Sequence, residues 1–423
     1  MRTKVLFALF FLICVFLFLR FYHIGSSFNF GADQGLGLLE DYKIYQTKKI
    51  SLIGETGNSW SSGGRYFFNS SLLSYMMIPI LLLSHWDPFV TAYFLISLQF
   101  LGLVAVYWIL AVNQRRFITA FIFAVLYTFF PLMVEHSRFF WSPSFLIPVS
   151  TAVLAINLLV GKKGDKKIIF LLGFLWGVGL QMHYSFILAL AVSFAWVFSK
   201  IRAKKEIFIF ALAGFIIGFS PIIIFELRHS FYNLRTLLLV LSVNASGESG
   251  QTIRLNYHYV LSLLPFAFYL LALIIVKITQ RYMWTGFALI IIFIYCSLLL
   301  ILPTPTHGFT MVEGWNYAGV SKTEKIIADE NKEDFNLVDL LTGDTRAMAL
   351  RYLLTVNNHP PLSISDYKIA KFLYVYSRVP IKQILGGSLW EIDSARPLKL
   401  EKSWHIQNGI QLYLLGKSSS PTR

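Results

Sequence analysis

Cysteine is nearly absent from this chain: Cys14 and Cys296 are its two copies in 423 residues. Both sit inside apolar runs far apart in sequence, so no disulfide is expected and they report no redox compartment. Charge is also scarce, at 14% of residues, and acids are outnumbered 22 to 37 by Lys and Arg. No Walker loop occurs, which argues against nucleotide-driven transport. Neither HExxH nor zinc-finger spacing occurs, so a metal site is not supported. Residues 1–22 resemble a signal peptide, but the run ends in Arg20-Phe21-Tyr22-His23 instead of a small-residue cleavage site, and an uncleaved first span is expected. Internal repeats and low-complexity tracts are missing too.

What is present is apolar surface. The chain is 56% hydrophobic and 17% aromatic, with a mean hydropathy of +0.61. A soluble protein of this length has no way to hide so much, so a polytopic helical membrane protein is expected. The net charge of +15 is then a topological signal together with contact to membrane lipids, and a nucleic-acid partner is not expected.

A span needs about 20 apolar residues. About nine segments qualify: 5–22, 89–112, 117–134, 144–160, 168–182, 184–199, 207–226, 257–276 and 283–302. Residues 71–84 are too short and contain Pro79. If they crossed, every later basic loop would change sides, so an interfacial or re-entrant helix is expected there. With that assignment Arg2, Lys4, Arg115, Arg116, the 162–167 and 200–205 clusters, Lys277 and Arg281 all fall on one side. Positive loops mark the cytoplasm. The amino terminus is therefore expected inside, and two long loops, 23–88 and 227–256, outside. Residues 1–302 form the expected membrane domain. Residues 303–423 carry a balanced charge and read as a small α/β domain outside the membrane. Strands are predicted at 335–341, 372–376 and 410–415, and a helix beginning at Asp344 as its N-cap.

The polar residues that could carry chemistry crowd the outer side. Asp33 lies in Phe30-Gly31-Ala32-Asp33-Gln34, ahead of a helix predicted over 36–48. That helix would lay Leu38, Leu39, Tyr42, Ile44 and Tyr45 on lipid and turn Glu40, Asp41, Lys43 and Lys48 to water. Asp33 reads either as a helix cap or as a general base. Leu52-Ile53-Gly54-Glu55 and Gly63-Gly64-Arg65-Tyr66 follow; Arg65 beside aromatics suits an anionic headgroup, or the loop is a lipid-facing anchor. Glu135-His136-Ser137-Arg138 is either an i,i+3 ion pair or a phosphate clamp, with Trp141 beside a lipid or sugar. His183 and Tyr184 close another outer turn. Arg228, Arg235, Arg254 and His258 give the second long loop a cationic balance fit for phosphate or for lipid headgroups.

Together these segments resemble the GT-C superfamily of polyprenyl-phosphate-sugar glycosyltransferases. The nearest branch holds the protein O-mannosyltransferases, the aminoarabinose transferase of lipid A and RgtA/B/C/D-like enzymes. The likeness covers roughly residues 1–320. It rests on Asp33 in its loop, the helix after it, Leu52-Ile53-Gly54-Glu55, the Gly63/Gly64 turn and Ser137-Arg138-Phe139-Phe140-Trp141-Ser142-Pro143. Relatives often carry a second acid where this chain has Gln34, and a Gly-Pro-aromatic turn where it has Gly63-Gly64-Arg65-Tyr66.

The resemblance implies a GT-C-like fold at the plasma membrane and transfer of one sugar from a lipid-phosphate carrier to a lipid, glycan or protein. It puts Asp33 at the catalytic centre. Arg138, Arg228, Arg235, Arg254 and His258 would then hold the donor phosphate, and Arg65, Tyr66, Glu135, His136, Trp141, His183 and Tyr184 the sugar or acceptor. No cofactor is expected beyond the lipid-linked donor. The rival readings are a transporter or flippase of a lipid-linked saccharide, which needs polar groups through the full bilayer depth, and a membrane-anchored binding protein.

Overall fold

The structure is a computed structural model and describes residues 2–62, 65–162, 164–201, 204–245 and 256–418. The chain forms two compact units: Met1–Tyr22, Lys48–Ile80 and Val90–Pro303 make one, and His23–Thr47, Leu81–Phe89 and Thr304–Arg423 the other. The expected boundary after residue 302 coincides with the start of the last segment of the second unit. That unit also takes in His23–Thr47, with the helix after Asp33, and Leu81–Phe89, the two ends of the loop expected over 23–88.

The first unit is helical and apolar. All nine expected segments fall on helices. Among the described residues five helices are long and apolar enough to cross a membrane, or six if the pair Lys205–Gly218 and Ser220–Arg228, bent by 68°, counts as one span. The segment expected as one span over 207–226 is thus broken at Phe219, where Pro221 opens the second half without an N–H to give. The short segment forms the helix Leu72–Leu83, about 18 Å long against the ~30 Å of a hydrocarbon core. A hairpin not anticipated from the sequence, β1 (Ile53–Ser62) with β2 (Arg65–Ser70), precedes it. Gly63 and Gly64, expected to make a turn there, lie outside the described residues.

Helices Lys166–Met182 and Lys204–Gly218 meet along a glycine seam. A Cβ at Gly173 would lie 2.0 Å from the carbonyl of Ala211, and one at Gly214 equally close to that of Phe170. Small residues four apart let the backbones approach, and dispersion replaces the hydrophobic drive that lipid does not supply.

The second unit is α/β. Its sheet runs β3 (Phe335–Asp339), β4 (Phe372–Ser377), β6 (Ile410–Lys417) and β5 (Leu398–Gln407) in spatial order β3-β4-β6-β5, with β3 and β4 parallel and the other pairs antiparallel. Every residue of β3 is buried, as befits a parallel strand covered on both faces. Leu373, Val375 and Leu415 pack with Ile384, Ile392 and Tyr413 on one side. Three strands match the sequence expectation; β5, with its exposed lysines and glutamate, does not alternate clearly enough to be read in advance.

Two expectations for this unit are corrected. The helix after β3 starts at Met348, with Ala347 before it in the left-handed region (φ 57°), so Asp344 is no cap. The helix after Asp33 starts at Ala32 and packs within the unit. Gly35 allows this: a Cβ there would fall 2.4 Å from the backbone of Met348 and Ala349. Leu38 and Asp41 are consequently buried in protein rather than laid on lipid or turned to water, and Tyr42 and Tyr45 pack on Trp86 with ring centroids 4.8 and 5.4 Å apart.

Candidate active site

Asp33 stands in the first turn of helix Ala32–Thr47. Its neighbour Gln34 does the capping: the side-chain carbonyl accepts the Gly31 N–H at 2.9 Å and the Asn29 amide at 3.1 Å. This is the N3-to-cap half of a capping box. Asn29 in turn accepts from the backbone and hydroxyl of Thr310 at 2.8 and 3.0 Å, and the Phe30 N–H points to the Met311 sulfur at 3.4 Å. The loop before Asp33 is thereby clasped to a segment 281 residues away.

Between them opens a cavity of about 250 Å³, lined by the 30–34 loop, Thr310, Met311, Trp315, Asp339, Thr342, Gly343, Asp344, Met348, Ala349 and Tyr376. Asp339 and Tyr376 belong to the parallel pair β3 and β4, and Asp339 ends its strand. Ligands of α/β sheets gather at the carboxyl ends of such strands.

The loop after β3 is held rigidly. Asp339 accepts from the backbone of Leu341 (2.7 Å) and Thr342 (3.2 Å) and from the Thr342 hydroxyl (2.8 Å). Arg346 donates to both oxygens of Asp344, at 2.8 and 2.5 Å. Buried Arg351 ties the loop down from behind, donating to the carbonyls of Arg346 and Leu362 at 2.7 and 2.6 Å and also to Asn336.

Asp33 is solvent-accessible, with a carboxyl raised above the ordinary 3.8 by burial and by the charge of Asp344; Arg346 pulls it back down. Burial also raises Asp339. Burial pushes Asp344 the same way, but the hydrogen bonds from Arg346 outweigh it and leave the group below 3.8. A carboxylate whose proton affinity is lifted in a polar cleft is suited to accept a proton from an incoming hydroxyl.

The first unit gathers a different set. Trp141 lies 4.8 Å from the His258 ring and His183 lies 5.7 Å from it, while His136 is 5.8 Å from Tyr257. His136 and His183 are lowered to about 3 and about 4, by burial first and by His258 second, so both are neutral at physiological pH. Next to His183, the Tyr184 ring stands 4.5 Å from Phe67 of the hairpin. Arg65 and Tyr66 are exposed on β2, with Arg65 over Tyr232 at 5.8 Å. Arg228 and Arg235 are exposed. Arg254 lies outside the described residues.

Arg138 has a structural task. It is buried and donates to the carbonyls of Leu19, Arg20 and Tyr22, filling the open end of helix Arg2–Phe21. Half-buried Glu135 has its carboxyl raised by burial, against the pull of the Arg138 charge.

Sequence reading missed Gln34's capping role and passed over Thr310, Trp315, Asp339, Arg346 and Tyr376. The one available signal was an acid inside the strand predicted over 335–341, which in the structure ends at Asp339. Among the described residues no three His, Cys, Asp or Glu side chains converge to hold a metal.

No protein-family model and no curated protein sequence matches the chain. Solved structures do match it. A crystal structure of ArnT from Cupriavidus metallidurans bound to undecaprenyl phosphate aligns over 97% of this chain and 99% of its own, with a TM-score of 0.58 at 9% identity. The Archaeoglobus fulgidus oligosaccharyltransferase, solved with zinc and sulfate, aligns over 90% of this chain and 68% of its own, with a TM-score of 0.50 at 10% identity. The chain therefore shares the fold of these structures: a polytopic helical membrane unit with a small sheet-containing unit built largely from its carboxyl-terminal part.

Proposed function

We propose that the protein is a membrane glycosyltransferase that moves one sugar from a polyprenyl-phosphate carrier to an acceptor at the outer face of the plasma membrane. The observation that carries this reading is Asp33: a carboxylate of raised proton affinity lining a polar cavity, in a chain whose fold matches ArnT from end to end. That relative is bound to undecaprenyl phosphate, which supports a carrier of the same chemistry here. The basic loops of the sequence support an inside amino terminus and an outward-facing site.

In the proposed step an acceptor hydroxyl attacks the anomeric carbon. Its proton passes to Asp33, the bond from the sugar to the phosphate oxygen breaks, and the electron pair leaves with the polyprenyl phosphate. Arg228 and Arg235 are the accessible described cations for that phosphate, with Arg254 of the same loop. His136, His183 and His258, with Trp141, supply neutral hydrogen-bonding and ring surfaces for a sugar or for the head of the carrier. Arg65, Tyr66, Glu135 and Tyr184 complete the proposed sugar-facing set.

The test is transfer by purified protein in lipid, offering a panel of polyprenyl-phosphate sugars to a membrane extract of its host. Labelled acceptor made by the wild type and not by Asp33→Asn is the expected result. Full transfer by Asp33→Asn at normal expression removes Asp33 from the mechanism. Carrier-bound sugar reaching the opposite leaflet without transfer replaces the enzyme with a flippase.

A further inference from the structure

The described residues that line the cavity beside Asp33 include acids and no Lys or Arg. Asp33, Asp339 and Asp344 line it. Arg346 gives its guanidinium to Asp344, and Arg351 is committed to backbone carbonyls and Asn336. A phosphate or carboxylate entering here would meet like charge with no counterion, at a cost that grows as water is excluded. Opposite the acids is an unspent donor. Gln34 lines the cavity, is 2% exposed, and its amide nitrogen has no hydrogen-bond partner among the described residues. A buried amide N–H left unpaired is costly and points to a missing acceptor. Trp315 and Tyr376, stacked at 5.4 Å, form an aromatic part of the lining.

We infer that this cavity is the acceptor subsite and that its occupant is a single sugar ring carrying uncharged hydroxyls, neither a phosphate nor an amine. The inference rests on the transferase reading and names its substrate class. Sugar hydroxyls both donate and accept, so one ring satisfies carboxylate acceptors and the Gln34 donor together. Its C–H face suits the aromatic pair. The cavity's ~250 Å³ equals the liquid volume of roughly eight waters, a fit for one ring and far too small for a polyprenyl chain. Asp33 then stands beside one hydroxyl of the ring, which becomes the nucleophile.

The test is binding, read by saturation-transfer NMR on the full chain in nanodiscs, so that it does not depend on turnover. The probes are methyl hexopyranosides of differing stereochemistry, the corresponding 6-phosphates, and ethanolamine. At least one neutral glycoside is expected to bind, with its 6-phosphate and ethanolamine at least tenfold weaker. Asp33→Asn and Gln34→Glu should each weaken the glycoside about tenfold, or ~1.4 kcal/mol. Gln34→Glu keeps the oxygen that caps Gly31 but replaces the donor with an acidic oxygen beside Asp33, so a thermal-unfolding measurement on the variant separates lost ligand contact from lost folding. A phosphorylated glycoside or ethanolamine binding best, or no neutral glycoside binding at all, overturns the inference. Glycoside binding without transfer from any carrier keeps the subsite and sinks the transferase. Transfer together with preferential phosphate binding does the reverse.

Discussion

The two units solve opposite electrostatic problems. The cavity of the second unit is acidic, with Arg346 bonded to Asp344 and Arg351 to backbone carbonyls and Asn336. The polar cluster of the first unit is made of imidazoles and rings, with His136 and His183 held neutral by burial and by His258. Proton affinity is raised in the first case and lowered in the second by the same cause, loss of hydration, acting on groups of opposite charge type. Two chemistries can then be kept apart at one pH: a carboxylate able to take a proton, and histidines that neither carry charge nor compete for it.

That contrast breaks most visibly at Asp33. Asp33→Asn is expected to cut transfer by about 10²- to 10⁴-fold. It should leave the melting temperature unchanged or slightly higher. The raised carboxyl contributes stability that is present below its unfolded value and lost as pH rises through the folded one, and the amide avoids that loss. A parallel fall in activity and melting temperature would instead make Asp33 structural.

Gly35→Ala is next. It drives a methyl into the Met348–Ala349 backbone, and overpacking of this kind costs about 1–3 kcal/mol. Thermal unfolding and transfer should fall together, while the hairpin and helices of the first unit keep their circular dichroism.

Arg138→Lys tests a residue on which two roles compete. If it only fills the end of helix Arg2–Phe21, the melting temperature drops while KM for donor stays fixed. A raised KM at unchanged melting temperature would restore it to donor binding.

Smaller shifts sharpen the comparison through pH. Asp33 must be ionised to act, so activity should be lost as pH falls through its raised value. Arg346→Met removes a charge that lowers Asp33 and should move that acidic limb upward. Asp344→Asn removes one that raises it and should move the limb downward. A pH–rate profile of each variant settles the sign. His258→Phe should change least: it keeps the ring packing on Trp141, leaves folding intact, and registers only as a modest rise in KM.

The membrane unit was legible because a bilayer imposes one length and one charge rule on every helix, so runs such as 283–302 and loops such as Arg115-Arg116 announce themselves. Asp33 was singled out in the same way, as an acid in the loop after the first expected span. Its partners were not. Thr310, Asp339 and Asp344 meet it only through folding over some 280–310 positions, and nothing in local pattern marks such a pairing. Gly35 is equally silent in sequence, since a helix glycine reads as a weakness until the backbone it approaches is known. The break at Phe219 was hidden because hydropathy averages over a kink. His136, Trp141, His183 and His258 did come together, since short turns on one side of a bundle have little room to part.

The clasp of Asn29 on Thr310 sets the order in which this molecule can be completed. Asp33 leaves the ribosome well before the walls of its cavity, which belong to segments made some three hundred residues later. Until then helix Ala32–Thr47 has no surface on which to bury Leu38, and the reactive carboxylate has no pocket. A chain stopped between residues 303 and 343 would carry every expected span and still lack Asp344, Met348, Ala349 and Tyr376 of the cavity wall. Activity thus certifies that synthesis has run through the second unit, a form of quality control written into chain order.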